Sequence, residues 1–171
     1  MPAAHRTVVV MRHAKAEQVG PTDFERALSR RGHADGAAAG VWLARLGVDP
    51  DHALVSAALR TRETWGAVAG GASWSLDPTL DEGLYSAGPE TALDLVRALD
   101  PAVTSVVVVG HNPTMAYLAS MLDDGEGDPE AGNELATGFP TSALAVFAYD
   151  GAWADLDSAS ARLTAFHVAR G

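Results

Sequence analysis

Arg12 and His13 close the apolar run of "TVVVMRHAKAE", and His111 closes that of "SVVVVGHNP". A third stretch, "SAALRTRET", carries Arg60 just beyond another short apolar segment. These residue types share one chemistry. A guanidinium offers fixed, paired donors that match phosphoryl or carboxylate oxygens. A neutral imidazole nitrogen is a nucleophile at physiological pH. Gathered around one pocket, Arg12, Arg60, His13 and His111 would do more than bind an anion. With His13 in line with phosphorus, its ring nitrogen could accept the phosphoryl group, and water would then release phosphate from it. Arg12, Arg60 and His111 would stabilise the charge on the equatorial oxygens. The positive charge in this scheme comes from the protein itself, so no metal and no other cofactor is expected.

Other residues extend the set. The "GHNP" turn, with Asn112, can present backbone N–H groups to an oxyanion close to a helix start. Lys15 would add charge at the pocket mouth, and Ser56 would hydrogen-bond phosphate or orient Arg60. A poor leaving group also needs a proton. The candidate acid is Glu82, in "TLDEGLYSAGPE", with Asp81 as its rival; nearby arginines would oppose the raised pKa an acid requires. His5, His33, His52 and His167 lack a partner pattern and read as surface or packing residues. Trp42, Trp65, Trp74 and Trp153 read as packing anchors. A metal-centred reading is disfavoured, because no H-x-x-x-H or H-E-x-x-H spacing occurs and an adjacent arginine opposes a cation. Phosphate-binding P-loops and glycine-rich dinucleotide fingerprints are absent.

The elements that must position these side chains follow from apolar periodicity. Val8–Met11 and Ser105–Gly110 read as buried strands, with a shorter one at Ala53–Ser56 and a weak one at 72–76. Helices are expected over 33–46, with Ala38, Val41, Trp42 and Arg45 on one face, and over 60–69. Two more follow Pro89 (stripe Ala92, Leu95, Val96, Leu99) and Pro113 (Met115, Leu118, Ala119, Leu122). Residues 123–134, "DDGEGDPEAGNE", read as a polar, turn-rich loop able to cover part of the site. Two late strands lie within 142–150 and 160–169. Alternating strands and helices predict a three-layer α/β/α domain over residues 1–171, with a mostly parallel sheet and a late antiparallel edge. Ligands of such sheets sit beyond the carboxyl ends of the strands, where Arg12, His13, Ser56, Arg60 and His111 all fall.

Bulk composition narrows the classes. The chain has 171 residues, 47% hydrophobic and 20% charged, as expected of a globular protein with a sizeable core. It has no cysteine, which excludes disulfides and thiolate chemistry. No apolar run approaches a membrane span, and the first residues are too short for a secretory signal; a cytoplasmic location is expected, with neither membrane nor nucleic acid as partner. The net charge is −10, yet residues 1–62 hold nine of the 12 basic and six of the 22 acidic residues, so an anion site should draw on the first third. Nothing in the sequence fixes the oligomeric state; a monomer is favoured.

The three blocks, in this order, resemble the histidine phosphatase superfamily, which has the phosphoglycerate-mutase-like fold. "VVVMRHAKAE" is similar to the small SixA-type phosphohistidine phosphatase branch, with Arg12–His13–Ala14 in place of an R-H-G start. "SAALRTRET" resembles the serine–arginine–threonine block, and "VVVVGHNP" the second-histidine block; the likeness runs on through "FPTSALAVFAYD". It implies that His13 is the phosphorylated nucleophile and that Arg12, Arg60 and His111 form a metal-free phosphate pocket. It implies a phosphorylated protein, carrying phosphohistidine, or a small phosphorylated metabolite as substrate. The surroundings of Glu82 do not match the mutase-like acid motif, which favours substrates with good leaving groups. A small-molecule phosphomonoesterase is the alternative enzyme reading, and an inactive phosphate-dependent binding module the alternative outside catalysis.

Overall fold

The computed structural model describes residues 5–171. Four strands run parallel: β1 (His5–Arg12), β2 (His52–Ser56), β3 (Thr79–Asp81) and β4 (Ser105–Gly110). Two antiparallel strands, β5 (Ala143–Asp150) and β6 (Arg162–Val168), complete a single sheet of order β3-β2-β4-β1-β5-β6. Both faces are covered, so the central strands carry consecutive apolar residues, Val8–Met11, Ala53–Val55 and Val106–Val109, instead of alternating polar and apolar ones. Side chains still alternate between faces. Val8, Val10, Val106 and Val108 join one core, and Val9, Met11, Val107 and Val109 join the other.

The second of these cores is roofed by α1 (Arg30–Arg45) and α2 (Leu59–Ala72). The first lies under the short α3 (Gly83–Ser86), α4 (Pro89–Arg97), α5 (Thr114–Leu122) and α6 (Pro129–Thr137). The chain therefore leaves β1 toward one face and β4 toward the other. Neighbouring parallel strands whose connections diverge leave a crevice at their carboxyl ends. The register brings Arg12 of β1 level with Gly110 of β4, and the His13 N–H donates to the Gly110 carbonyl at 3.0 Å. One residue further along each strand stand His13 and His111.

Three expectations change here. The apolar segment 72–76 is not a strand: Trp74 and Leu76 pack against the core from a loop, and the edge strand forms three residues later. The segment 123–134 is not all loop, because Asp128 caps α6 by accepting from the Ala131 N–H at 2.8 Å and Pro129 takes its first turn. The buried face of α1 comprises Gly32, Asp35, Gly36, Ala39, Gly40 and Leu43, while Val41 and Arg45 face solvent. This face is small because α1 and α2 lie backbone against backbone. A Cβ on Gly40 would fall 2.0 Å from the Val68 carbonyl oxygen, and one on Gly71 would fall 2.1 Å from that of Ala37.

Gly40→Ala is therefore expected to destabilise the fold by about 2 kcal/mol, since overpacking outweighs the gain in helix propensity. That corresponds to a Tm lower by roughly 4–8 °C in thermal unfolding; an unchanged or higher Tm would refute the tight α1–α2 approach. Among the described residues no helix is long and apolar enough to cross a membrane.

Candidate active site

The two imidazoles lie with ring centroids 5.4 Å apart. His13 is buried, and its Nδ1 is 2.7 Å from the carbonyl oxygen of Ala14. A carbonyl only accepts, so Nδ1 carries the ring proton and the lone pair is left on Nε2. Burial, which outweighs the bond to Ala14, pushes the His13 pKa down to about 4, and the charges of Arg60, Arg12 and Arg26 act in the same direction. His13 is thus a neutral base with one free nitrogen. Its loop is pinned from α2: the Ala14 N–H donates to Thr64 Oγ1 at 3.0 Å, and the Thr64 hydroxyl donates to the Arg60 carbonyl at 2.7 Å.

His111 follows the last residue of β4, and its Nε2 is 2.8 Å from Ser56 Oγ at the end of β2. Ser56 Oγ also accepts weakly from the Ala58 N–H, and its second lone pair lets the hydroxyl either donate to Nε2 or accept from it. The other ring nitrogen, Nδ1, is a buried atom with no partner among the described residues. Burial is also the largest cause of the drop in the His111 pKa to about 3, followed by the charges of His13 and Arg60. Ser56 is hydrogen-bonded to His111, a contact the sequence reading did not include.

Arg60 is 6% exposed. Its Nη1 donates to the Asp23 carbonyl at 2.8 Å and its Nη2 to Asp23 Oδ2 at 3.2 Å. Arg12 reaches the Phe139 carbonyl at 3.4 Å, and burial lowers its pKa from the ordinary value. The Nε atoms of both arginines are buried without partners among the described residues. Three unpartnered buried nitrogens, on Arg12, Arg60 and His111, thus belong to the residues clustered with His13. Unpaired buried donors are costly, and a dianion with several acceptor oxygens would satisfy such a set.

The remaining expected residues are placed differently. Asn112 is engaged at both ends: Nδ2 donates to the Phe139 carbonyl at 2.7 Å, and Oδ1 accepts from the Ala116 N–H at 3.2 Å. It ties the start of α5 to the segment that holds Arg12. Lys15 is exposed and lines a surface cleft with Glu17, Val19 and Ser29. Glu82 is exposed at the start of α3 and makes no side-chain hydrogen bond to the described residues. Loop 123–134 contributes no side chain to the cluster, although α6 leads directly into Phe139.

Sequence reasoning missed Asp23, Tyr85 and Arg26. The Asp23 carboxylate accepts from the Tyr85 hydroxyl and from Arg60, and at 3.0 Å from Arg26. These bonds, led by Tyr85, hold its pKa down at about 2. Tyr85 sets its ring edge-on to His111 at 5.5 Å and to Phe24 at 5.0 Å. The one usable signal was the density of polar residues in "PTDFERALS" within a loop following a strand end.

Because the charged forms of both imidazoles are disfavoured, an NMR titration should find His13 and His111 still neutral at pH 5.5, with midpoints near 4 and 3. The sign for stability follows. An unfolded histidine takes up its proton near pH 6.5, so these sites favour folding above that pH. Their contribution falls as pH drops from about 6.5 toward 4 for His13 and toward 3 for His111. Midpoints at or above 6.5 would contradict the burial argument.

Among the described residues no three His, Asp or Glu side chains are grouped to hold a metal ion. Residues 8–88 match the model of the histidine phosphatase superfamily (branch 1). An uncharacterized protein of Mycobacterium tuberculosis (strain H37Rv) is 37% identical over 164 residues, which cover 94% of this chain and 100% of the relative. The structure of a candidate phosphohistidine phosphatase SixA from Nakamurella multipartitia superposes with a TM-score of 0.85 at 34% identity, covering 99% of both chains. A second candidate phosphohistidine phosphatase SixA, from Agrobacterium tumefaciens, gives 0.74 at 34% identity over 98% of this chain and 99% of its own. With the strand-end histidines and the α/β/α layers already in hand, these likenesses over nearly the full length decide the matter: the chain belongs to the histidine phosphatase superfamily, in its SixA-like branch, and is a phosphomonoesterase of that superfamily.

Proposed function

We propose that the protein hydrolyses phosphohistidine on a protein substrate through a phosphoryl-enzyme intermediate at His13. Nε2 of His13 attacks phosphorus, with Nδ1–H held by the Ala14 carbonyl so that the lone pair stays directed. The guanidinium groups of Arg12 and Arg60 and the Nδ1–H of His111 take the three equatorial oxygens. Their role is greatest as charge spreads over those oxygens in the loose transition state. Water then attacks the phosphoryl group on His13, the P–Nε2 electron pair returns to the ring, and inorganic phosphate leaves. Since two fixed guanidinium groups supply the charge, turnover should survive EDTA.

The observation that carries the choice of substrate is the state of the carboxylates. Asp23, which is bonded into the cluster, stays ionised because Tyr85 and Arg60 hold it at about 2, and Glu82 is exposed. Neither is a poised proton donor. An alkoxide leaving group needs one, whereas a phosphorylated imidazole already protonated at its far nitrogen departs as the neutral ring without one. The likeness to chains described as phosphohistidine phosphatases supports the same reading.

The test compares kcat/KM for a phosphohistidine peptide and for an alkyl phosphate. A preference of about 100-fold or more for the phosphohistidine peptide, unaffected by Glu82→Gln, is expected. Comparable efficiency on both, lost in Glu82→Gln, would instead establish a small-molecule phosphomonoesterase with Glu82 as its acid.

A further inference from the structure

Asp23 is bonded to one of the phosphate-binding candidates, yet it carries the wrong charge to bind phosphate. Its side chain is 57% exposed and stands on the connection from β1 to α1. It is close enough to His111 to oppose the lowering of that ring's pKa. Two aromatic rings flank it: Tyr85 donates to the carboxylate, and Phe24, the next residue, meets Tyr85 edge-on. The Arg60 guanidinium lies 5.8 Å from the centre of the Tyr85 ring. At the outer edge of a cationic pocket there is thus one carboxylate fixed by the Tyr85 hydroxyl, with the edge-to-face Phe24–Tyr85 pair beside it. Beside a leaving group, this arrangement disfavours negative charge and favours a flat ring that bears an N–H or a positive charge.

We propose that Asp23, positioned by Tyr85, is the leaving-group selector: its carboxylate accepts the N–H at the far nitrogen of a departing imidazole. This rests on the reading of the protein as a phosphohistidine phosphatase and adds how that ring is recognised. The step balances. The P–N bond to the substrate imidazole breaks as the bond from phosphorus to Nε2 of His13 forms. The substrate nitrogen keeps the electron pair, its far nitrogen keeps the proton it already carried, and imidazole leaves neutral. Asp23 stabilises the cationic ring before and during cleavage and gives up no proton. An alkoxide or phenolate has no such donor and develops negative charge beside the carboxylate.

The experiment uses the full chain, wild type and Asp23→Asn, with phosphoimidazole and p-nitrophenyl phosphate as probes. Asp23 also holds Arg60, so absolute rates on both probes will move; the ratio of the two kcat/KM values isolates the leaving group and cancels any loss of folded protein. Asp23→Asn is expected to lower the phosphoimidazole-to-aryl-phosphate ratio at least tenfold. A ratio within about twofold of wild type, or a variant inactive on both probes, would overturn the inference and leave Asp23 as a support for Arg60 only. The underlying reading fails separately. If wild type ignores a phosphohistidine peptide but still hydrolyses phosphoimidazole with the same Asp23 dependence, leaving-group selection stands and the protein substrate falls.

Discussion

His13→Ala is expected to lower kcat/KM by at least about 10⁴-fold, roughly 5 kcal/mol of transition-state stabilisation, and to leave no phosphoryl adduct after quenching with a labelled phosphodonor. The size follows from what the ring does. It supplies the electron pair that forms the new bond, and its neutral form is secured by burial and by the Ala14 carbonyl. No neighbour can substitute for it. His111 has Nε2 engaged with Ser56, and its Nδ1 is the ring atom proposed to bind an equatorial oxygen. Removing His13 leaves the arginines able to bind phosphate, so binding of inorganic phosphate should survive better than turnover. Activity persisting in the variant, or an adduct mapped to another residue, would overturn the role given to His13.

Arg60→Ala should cost about 10³-fold in kcat/KM, within the range found when a guanidinium that neutralises a transferring phosphoryl group is lost. The loss should appear in kcat as well as KM, because the charge on the equatorial oxygens is spread differently in the transition state. Arg60→Lys should recover only part of it, since a point charge cannot replace a planar fork. There is a second consequence. Arg60 pairs with Asp23 at 3.2 Å, so its removal leaves that carboxylate held by Arg26 and Tyr85 alone, with less of its charge neutralised as the dianion enters. Arg60→Ala/Asp23→Asn should therefore be several-fold more active on p-nitrophenyl phosphate than Arg60→Ala, a non-additivity expected of residues in direct contact. A double variant as impaired as the two losses multiplied would show that Asp23 and Arg60 act independently.

The secondary structure was most legible where burial on both faces forces a continuous apolar run. Val8–Met11 and Ser105–Gly110 can be little else, and their last residues announce the strand ends. The helix after Pro113 was equally clear, because Met115, Leu118, Ala119 and Leu122 are all buried at the spacing read from the sequence. Reading was weaker where packing depends on small residues. The α1–α2 contact uses glycines and alanines, which carry little hydropathy signal, so Val41 and Arg45 were set on the inner face although only Ala38 and Trp42 of that set pack against the core. Helix α6 was obscured by acidic and glycine residues, although Asp128 followed by Pro129 was a readable start.

For the site, residue types and strand-end positions alone pointed to Arg12, His13, Arg60 and His111, because such chemistry needs few residue types and strand ends are where this architecture exposes them. Tertiary structure decided the rest. The parallel pairing of β1 with β4, distant in sequence, sets the two imidazoles 5.4 Å apart. The folding of the β1–α1 connection against α3 joins Asp23 to Arg60 and Tyr85. Glu82 and Lys15, as plausible by type as any residue, face solvent. Local sequence specifies which side chains can act at the end of an element. Which loops then meet over them depends on strand order and register, and those are set by burial of the whole sheet.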